Sequence, residues 1–175
     1  SKHCFSNVKG INIPQLIQHK KQYNNLEKAA SELNLAIDLN TAIFSKDCDI
    51  LIPAALENSI TSENLHDIKA KYIVEAANFP TTLDAIYKLE NKGKIIVPDI
   101  LANSAGVVCS YFEWAYNAQK KLINDDEMQH AVAEHCNKRL DVILTELEDH
   151  NLRLHCYDIA IKNILETLRL KSNLI

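Results

Sequence analysis

Between Pro98 and Trp114 the chain reads Pro-Asp-Ile-Leu-Ala-Asn-Ser-Ala-Gly-Val-Val-Cys-Ser-Tyr-Phe-Glu-Trp. Asp99 and Asn103 can hydrogen-bond a ligand, and the small residues beside them, Ala102, Ser104, Ala105 and Gly106, let a backbone approach one closely. Another carboxamide, Asn78, stands before Phe79-Pro80, where asparagine also serves as a turn residue. These residue types suit ligand binding. Metal binding is not expected: the pairs His130/His135 and His150/His155 are five residues apart, whereas ligands on one helical face come three or four apart. Cys136 and Cys156 fall on apolar stripes and read as core, and Cys109 as a small buried side chain.

Elements must bring these residues together. Lys94-Ile-Ile-Val97 is a short β-branched run that reads as a buried strand, which makes Asp99 to Gly106 a loop at its carboxyl end. Ligands of open α/β sheets bind at that end. The same pattern occurs twice upstream. Asp49-Ile-Leu-Ile52 runs into Pro53-Ala54-Ala55, and Thr61 to Lys69 then reads as a helix capped by Thr61 or Ser62. Lys71-Tyr-Ile-Val74 runs into Glu75-Ala-Ala-Asn78, and Pro80-Thr81-Thr82 opens a helix that Gly93 ends. Strand and helix alternating over such short connections imply a parallel sheet, with all three loops on one edge.

Outside this repeat the signals are simpler. Residues 1–13 read as irregular with a turn at Asn7 to Gly10, Pro14 sits in the first turn of a helix, and Leu26 to Leu33 reads as another. Leu35 to Ile37 is a short strand candidate. Downstream, Met128, Val132, Cys136, Leu140, Ile143 and Leu147 mark a long amphipathic helix capped by Asn124 or Asp125, and Tyr157, Ile161, Ile164 and Leu168 a last one.

Composition narrows the function. The 175 residues, 47% of them hydrophobic, suffice for one folded domain, and a net charge of −4 with scattered lysines and arginines argues against a nucleic-acid partner. No apolar run is long enough to span a bilayer, so no membrane association is expected. Five well-separated cysteines fit free thiols and a cytoplasmic location. With three glycines, Gly10, Gly93 and Gly106, the chain holds neither a G-x-G-x-x-G fingerprint nor a phosphate-binding P-loop.

Three stretches together resemble the glutamate/leucine/phenylalanine/valine dehydrogenase family: Cys48 to Asn58, Glu75-Ala-Ala-Asn-Phe-Pro-Thr-Thr82, and Pro98 to Trp114, in that family's order and spacing. The resemblance implies an α/β fold, an incomplete Rossmann-like parallel sheet with flanking helices and a helical C-terminal segment. Residues 1–117 are then the distal part of an NAD(P)-binding domain and residues 118–175 the C-terminal helices packing on it. It also implies NAD or NADP as cofactor, with Ala54 and Ala55 on its adenosine side, Asn78 at the nicotinamide-side ribose and Asn103 lining the nicotinamide pocket. Val107 and Ser110 match positions that contact the substrate side chain. The family's catalytic lysine and aspartate belong to a preceding domain, so no catalytic residue is expected in this chain, which by itself should be inactive.

Ser110-Tyr-Phe-Glu-Trp114 is the glutamate-type continuation, in which the serine hydroxyl holds the substrate's γ-carboxylate. The implied reaction is reversible oxidative deamination of L-glutamate to 2-oxoglutarate in a homo-oligomeric enzyme. A leucine-, phenylalanine- or valine-type enzyme is the alternative, as is a non-catalytic remnant or interaction module. Two departures are Ser104-Ala105, where the family has Ala-Gly and alanine is unfavourable if the backbone needs positive φ, and Arg153-Leu-His-Cys-Tyr157, where the family tends to have Arg-x-Ala-Ala-Tyr, so that the return helices are expected to pack less closely.

Overall fold

The computed structural model describes residues 2–147 and 151–172. They form two compact units, Ser1–Cys48 with Asn64–Lys69, and Asp49–Glu63 with Ala70–Ile175.

In the first unit, β1 (His3–Ser6) pairs antiparallel with β2 (Ala36–Leu39), His3 opposite Leu39 and Ser6 opposite Ala36. β1 lies where irregular chain was expected, because its partner is some thirty residues away and its own residues alternate weakly. The expected turn follows it: Gly10 N–H donates to Asn7 O at 2.9 Å, and Gly10 takes φ +84°. Helix α1 (Ile13–Tyr23) starts at Asn12, whose side chain accepts from Gln15 N–H, with Pro14 in the first turn. Asn24 ends it in the left-handed region, and Asn25 caps α2 (Leu26–Glu32), which buries Ala29 and Ala30.

The second unit carries a parallel sheet in the order β3 (Ile50–Leu51), β4 (Tyr72–Val74), β5 (Ile95–Val97). Leu51, Ile73 and Ile96 stand side by side in register and all are buried, Ile73 completely. Side chains alternate faces along a strand, so the other face presents Ile50, Ile52, Tyr72 and Ile95, which are 54%, 57%, 37% and 46% exposed. Parallel sheets are normally covered on both faces. This one is covered along one side and, on the other, only at its carboxyl end, where Val74 and Val97 are half-buried.

Helix α3 (Leu83–Asn91) makes the crossover from β4 to β5 and buries Ala85, Ile86 and Leu89. It ends at Gly93 as expected, with φ +75°: Gly93 N–H donates to Glu90 O and Lys94 N–H to Leu89 O, the paired bonds of a glycine-terminated helix. Two local expectations fail. Thr61 to Lys69 forms turns: Thr61 Oγ1 accepts from Glu63 N–H as a cap would, but no helix follows it, and Ser62 Oγ, the other capping candidate, donates to Asp84. Asp99 to Gly106 is helical rather than a loop, comprising α4 (Asp99–Ala102) and the start of α5 (Ala105–Ala118). The small residues suited to close approach include alanine, the best helix former.

The C-terminal helices form where expected, although the apolar stripe of the last one is largely open, with Ile161, Ile164 and Leu168 all exposed. Asn124 and Glu127 form a reciprocal capping box at the head of α6 (Asp125–Thr145), whose acidic first turn suits the positive end of the helix dipole. Leu147 lies beyond its end. α6 packs on α5, with Phe112 edge-on to His135 at 5.8 Å, and α7 (Leu152–Ser172) returns to pack on α4 and β5.

Candidate functional site

Three parallel strands release their following segments on one rim of the sheet, and hydrogen bonds tie those segments together. Pro53 O accepts from Ala76 N–H at 3.1 Å and Ala77 N–H at 2.9 Å, which joins the Ala54–Ala55 loop to the segment after β4. Asn103 Nδ2 donates to Asn78 Oδ1 at 2.8 Å, which joins that segment to the one after β5. Ala54, Ala55 and Asn78 are exposed, and the alanine methyls leave the rim open. The rim therefore presents two coupled carboxamides beside a patch of small side chains. Asn103 retains one N–H and its oxygen, and Asn78 its whole NH2, for a ligand that needs both donors and acceptors.

What holds this rim is a buried charge cluster that local pattern did not reveal. Asp99, read above as a ligand contact, instead turns inward and is 5% exposed. Its Oδ2 accepts from Phe79 N–H at 2.9 Å and its Oδ1 from Ile100 N–H at 2.9 Å. Glu75, wholly buried, accepts from Asp99 N–H at 3.1 Å. Arg153 reaches in from α7 and donates to Glu75 Oε2 and, at 3.2 Å, to Asp99 Oδ1. Burial alone would weaken the guanidinium's hold on its proton. The hydrogen bond to Glu75 and the charges of Glu75 and Asp99 outweigh that, and the Arg153 pKa stands above its ordinary value.

The cluster supports a strained backbone. Phe79 has φ +46°, a left-handed conformation that a bulky side chain rarely adopts and that costs about 1–3 kcal/mol. Its N–H is held by Asp99 and its carbonyl by Asn58 N–H at 2.9 Å. Asn78 is the residue immediately before it. Sequence gave one usable hint, a glutamate set among apolar and small residues at a strand end; its cation lies 78 positions away.

Val107 and Ser110 are both exposed, one turn apart on α5. Ser110 sits inside the helix, where its hydroxyl donates to Gly106 O at 3.2 Å. Ala105 is the first residue of α5, and the structure accommodates it there without the positive φ that would disfavour alanine.

Among the described residues no cluster of three or more His, Cys, Asp or Glu could hold a metal ion, and His150 lies outside them. All five cysteines are free. Burial pushes the Cys156 thiol above its usual value, against the opposing charge of Arg153. Cys156 therefore stays protonated and inert at pH 8, and in a native-state titration with a thiol-reactive disulfide it and buried Cys4 are expected to react after Cys48 and Cys109. Site-resolved mass spectrometry checks the order.

The model of the Glutamate/Leucine/Phenylalanine/Valine dehydrogenase family matches residues 1–171. An NAD-specific glutamate dehydrogenase of Staphylococcus aureus (strain COL) is 37% identical over 165 residues, 93% of this chain and 39% of that protein. The catabolic NAD-specific glutamate dehydrogenase of Bacillus subtilis (strain 168) is 36% identical over 168 residues, 95% of this chain and 39% of its own length. Among solved structures, glutamate dehydrogenase from Peptoniphilus asaccharolyticus superposes with a TM-score of 0.73 at 30% identity, covering 95% of this chain and 36% of that one. The chain thus spans about 39% of the length of the curated relatives it matches. Its match to the family model runs through all three strand-end segments of the rim, and the chain belongs to the glutamate/leucine/phenylalanine/valine dehydrogenase family.

Proposed function

We propose that residues 1–117 form the distal part of the dinucleotide-binding domain of a glutamate dehydrogenase, and residues 118–175 the C-terminal helices packed on it. The observation that carries this reading is the Asn103–Asn78 hydrogen bond, which brings two carboxamides from different strand ends to one rim next to Ala54 and Ala55. In this reading Asn78 bonds the nicotinamide-side ribose and Asn103 the nicotinamide pocket, while the alanines leave room on the adenosine side. NAD is favoured over NADP by the NAD-specific relatives. When bound, the cofactor supplies the hydride acceptor for oxidation of L-glutamate to 2-oxoglutarate. This chain's own residues bind and orient; none of them is assigned a proton or bond-breaking step.

Val107 and Ser110 are placed against the substrate side chain. Serine is apt for a γ-carboxylate because the hydroxyl can exchange its weak bond to Gly106 O for a charged acceptor. A site with such a hydroxyl disfavours an apolar substrate, since leaving a polar group unpaired costs about 1–3 kcal/mol. The free thiols suit the cytoplasm, and the resemblance carries assembly of the intact enzyme from like subunits. No glycine-rich turn is present to hold the pyrophosphate, so the 175-residue chain binds dinucleotide weakly and does not reduce it with glutamate.

Titrating the chain with NADH and following nicotinamide fluorescence tests the reading. Asn78→Ala removes a ribose partner worth about 1–3 kcal/mol and is expected to weaken binding about 5–150-fold. Equal affinity in the two proteins overturns the assignment of Asn78.

A further inference from the structure

We infer that Arg153 is a positioning residue: by bridging Glu75 and Asp99 it ties α7 to the strand ends that aim Asn78 and Asn103, so the attachment of α7 sets the geometry of the carboxamide pair. The link to cofactor binding rests on the function proposed above; the mechanical coupling itself does not.

The chain of contacts is short and directional. Arg153 Nη1 donates to Asp99 Oδ1 and Nη2 to Glu75 Oε2, so one guanidinium fork spans the residue following β4 and the first residue of α4. Asp99 then acts on both sides of the rim. Its Oδ2 holds Phe79 N–H, which fixes the left-handed turn directly after Asn78, and its carbonyl accepts from Asn103 N–H at 3.0 Å. A rotation of Asp99 therefore moves both carboxamides. Glu75 blocks that rotation by accepting from Asp99 N–H.

Three features separate this from an ordinary structural ion pair. The side chains are 12%, 1% and 7% exposed for Arg153, Glu75 and Asp99, so solvent does not compete for the fork. Glu75 Oε1 has no hydrogen-bond partner among the described residues, which leaves Arg153 and Asp99 N–H as the contacts orienting that carboxylate. The supported backbone at Phe79 is one that relaxes to negative φ if released. A point charge cannot reproduce this. Lysine has no planar fork, and at Arg153 it can satisfy one carboxylate at a time.

Hydrogen exchange and side-chain amide NMR on the full chain test the proposal. Arg153→Lys keeps the charge and is the variant expected to fold. Its Phe79 amide should exchange about tenfold faster or more, and the side-chain amide signals of Asn78 and Asn103 should shift, while Leu89 in buried α3 keeps its protection. Arg153→Met should move the Asn78 and Asn103 side-chain amide signals further than Arg153→Lys does. Acceleration spread evenly over Phe79 and Leu89 indicates a merely structural role and overturns the proposal, as does unchanged exchange at Phe79. Adding NADH to the same samples separates the two claims. If the unsubstituted chain shows no cofactor-induced shifts, the proposed function fails, while the exchange comparison in the free protein still decides the role of Arg153.

Discussion

Arg153→Met is expected to destabilise the chain by about 3–5 kcal/mol, the cost of leaving buried carboxylates without their cation. The side chains of Glu75 and Asp99 are 1% and 7% exposed, and neither can reach water for compensation without moving the strand ends that carry them. Methionine keeps the stem's apolar contacts, so packing is not what is lost. Urea denaturation followed by circular dichroism should show the midpoint falling with little change in slope. Replacing the carboxylates as well, in the triple variant Glu75→Gln, Asp99→Asn, Arg153→Met, should recover part of the loss, because neutral amides cost less to bury unpaired than charges do. A single variant as stable as the parent would mean that the cluster contributes nothing, and with it the account of how the rim is held.

Ile73→Ala is the second large effect, with an expected loss of about 2–5 kcal/mol. Ile73 is the fully buried centre of the Leu51, Ile73, Ile96 row, and the sheet's opposite face leaves Ile50, Ile52, Tyr72 and Ile95 open to solvent. Strands of two or three residues with one fully covered face have little capacity to collapse into a cavity left beneath them. Small domains have only about 5–15 kcal/mol in total, so this substitution removes a large fraction of it and should lower the thermal midpoint by about 4–20 °C. Ile95→Ala on the open face is the control and should cost far less. Equal losses at the two positions would show that the sheet is covered on both faces in solution.

Much of this architecture was legible because local pattern and tertiary demand agree. The runs ending at Ile52, Val74 and Val97 are short and β-branched, Gly93 supplies the left-handed residue that ends α3, and Asn124 with Glu127 writes the α6 capping box directly into the sequence. The rim residues could be named because three motifs occur in order, and the structure brings Asn78 and Asn103 into contact. Failures came where partners are distant. Thr61 and Ser62 look like caps, but Ser62 is drawn to Asp84, and Asp99 looks like a ligand contact until Glu75 and Arg153 are seen to claim it. The strand at His3–Ser6 is defined by pairing with Ala36–Leu39 more than by its own residues. No window of a dozen residues contains Glu75 and Arg153 together, and that pair holds the site.

One rim of the β3–β4–β5 sheet is proposed to receive a dinucleotide. Titrating the isotopically labelled chain with NAD to millimolar concentration, with backbone and side-chain amides assigned, tests it most directly. Shifts that saturate and cluster at Ala54, Ala55, Asn78 and Asn103 are the predicted result. An unchanged spectrum, or shifts confined to α6 and α7 away from the rim, would contradict it.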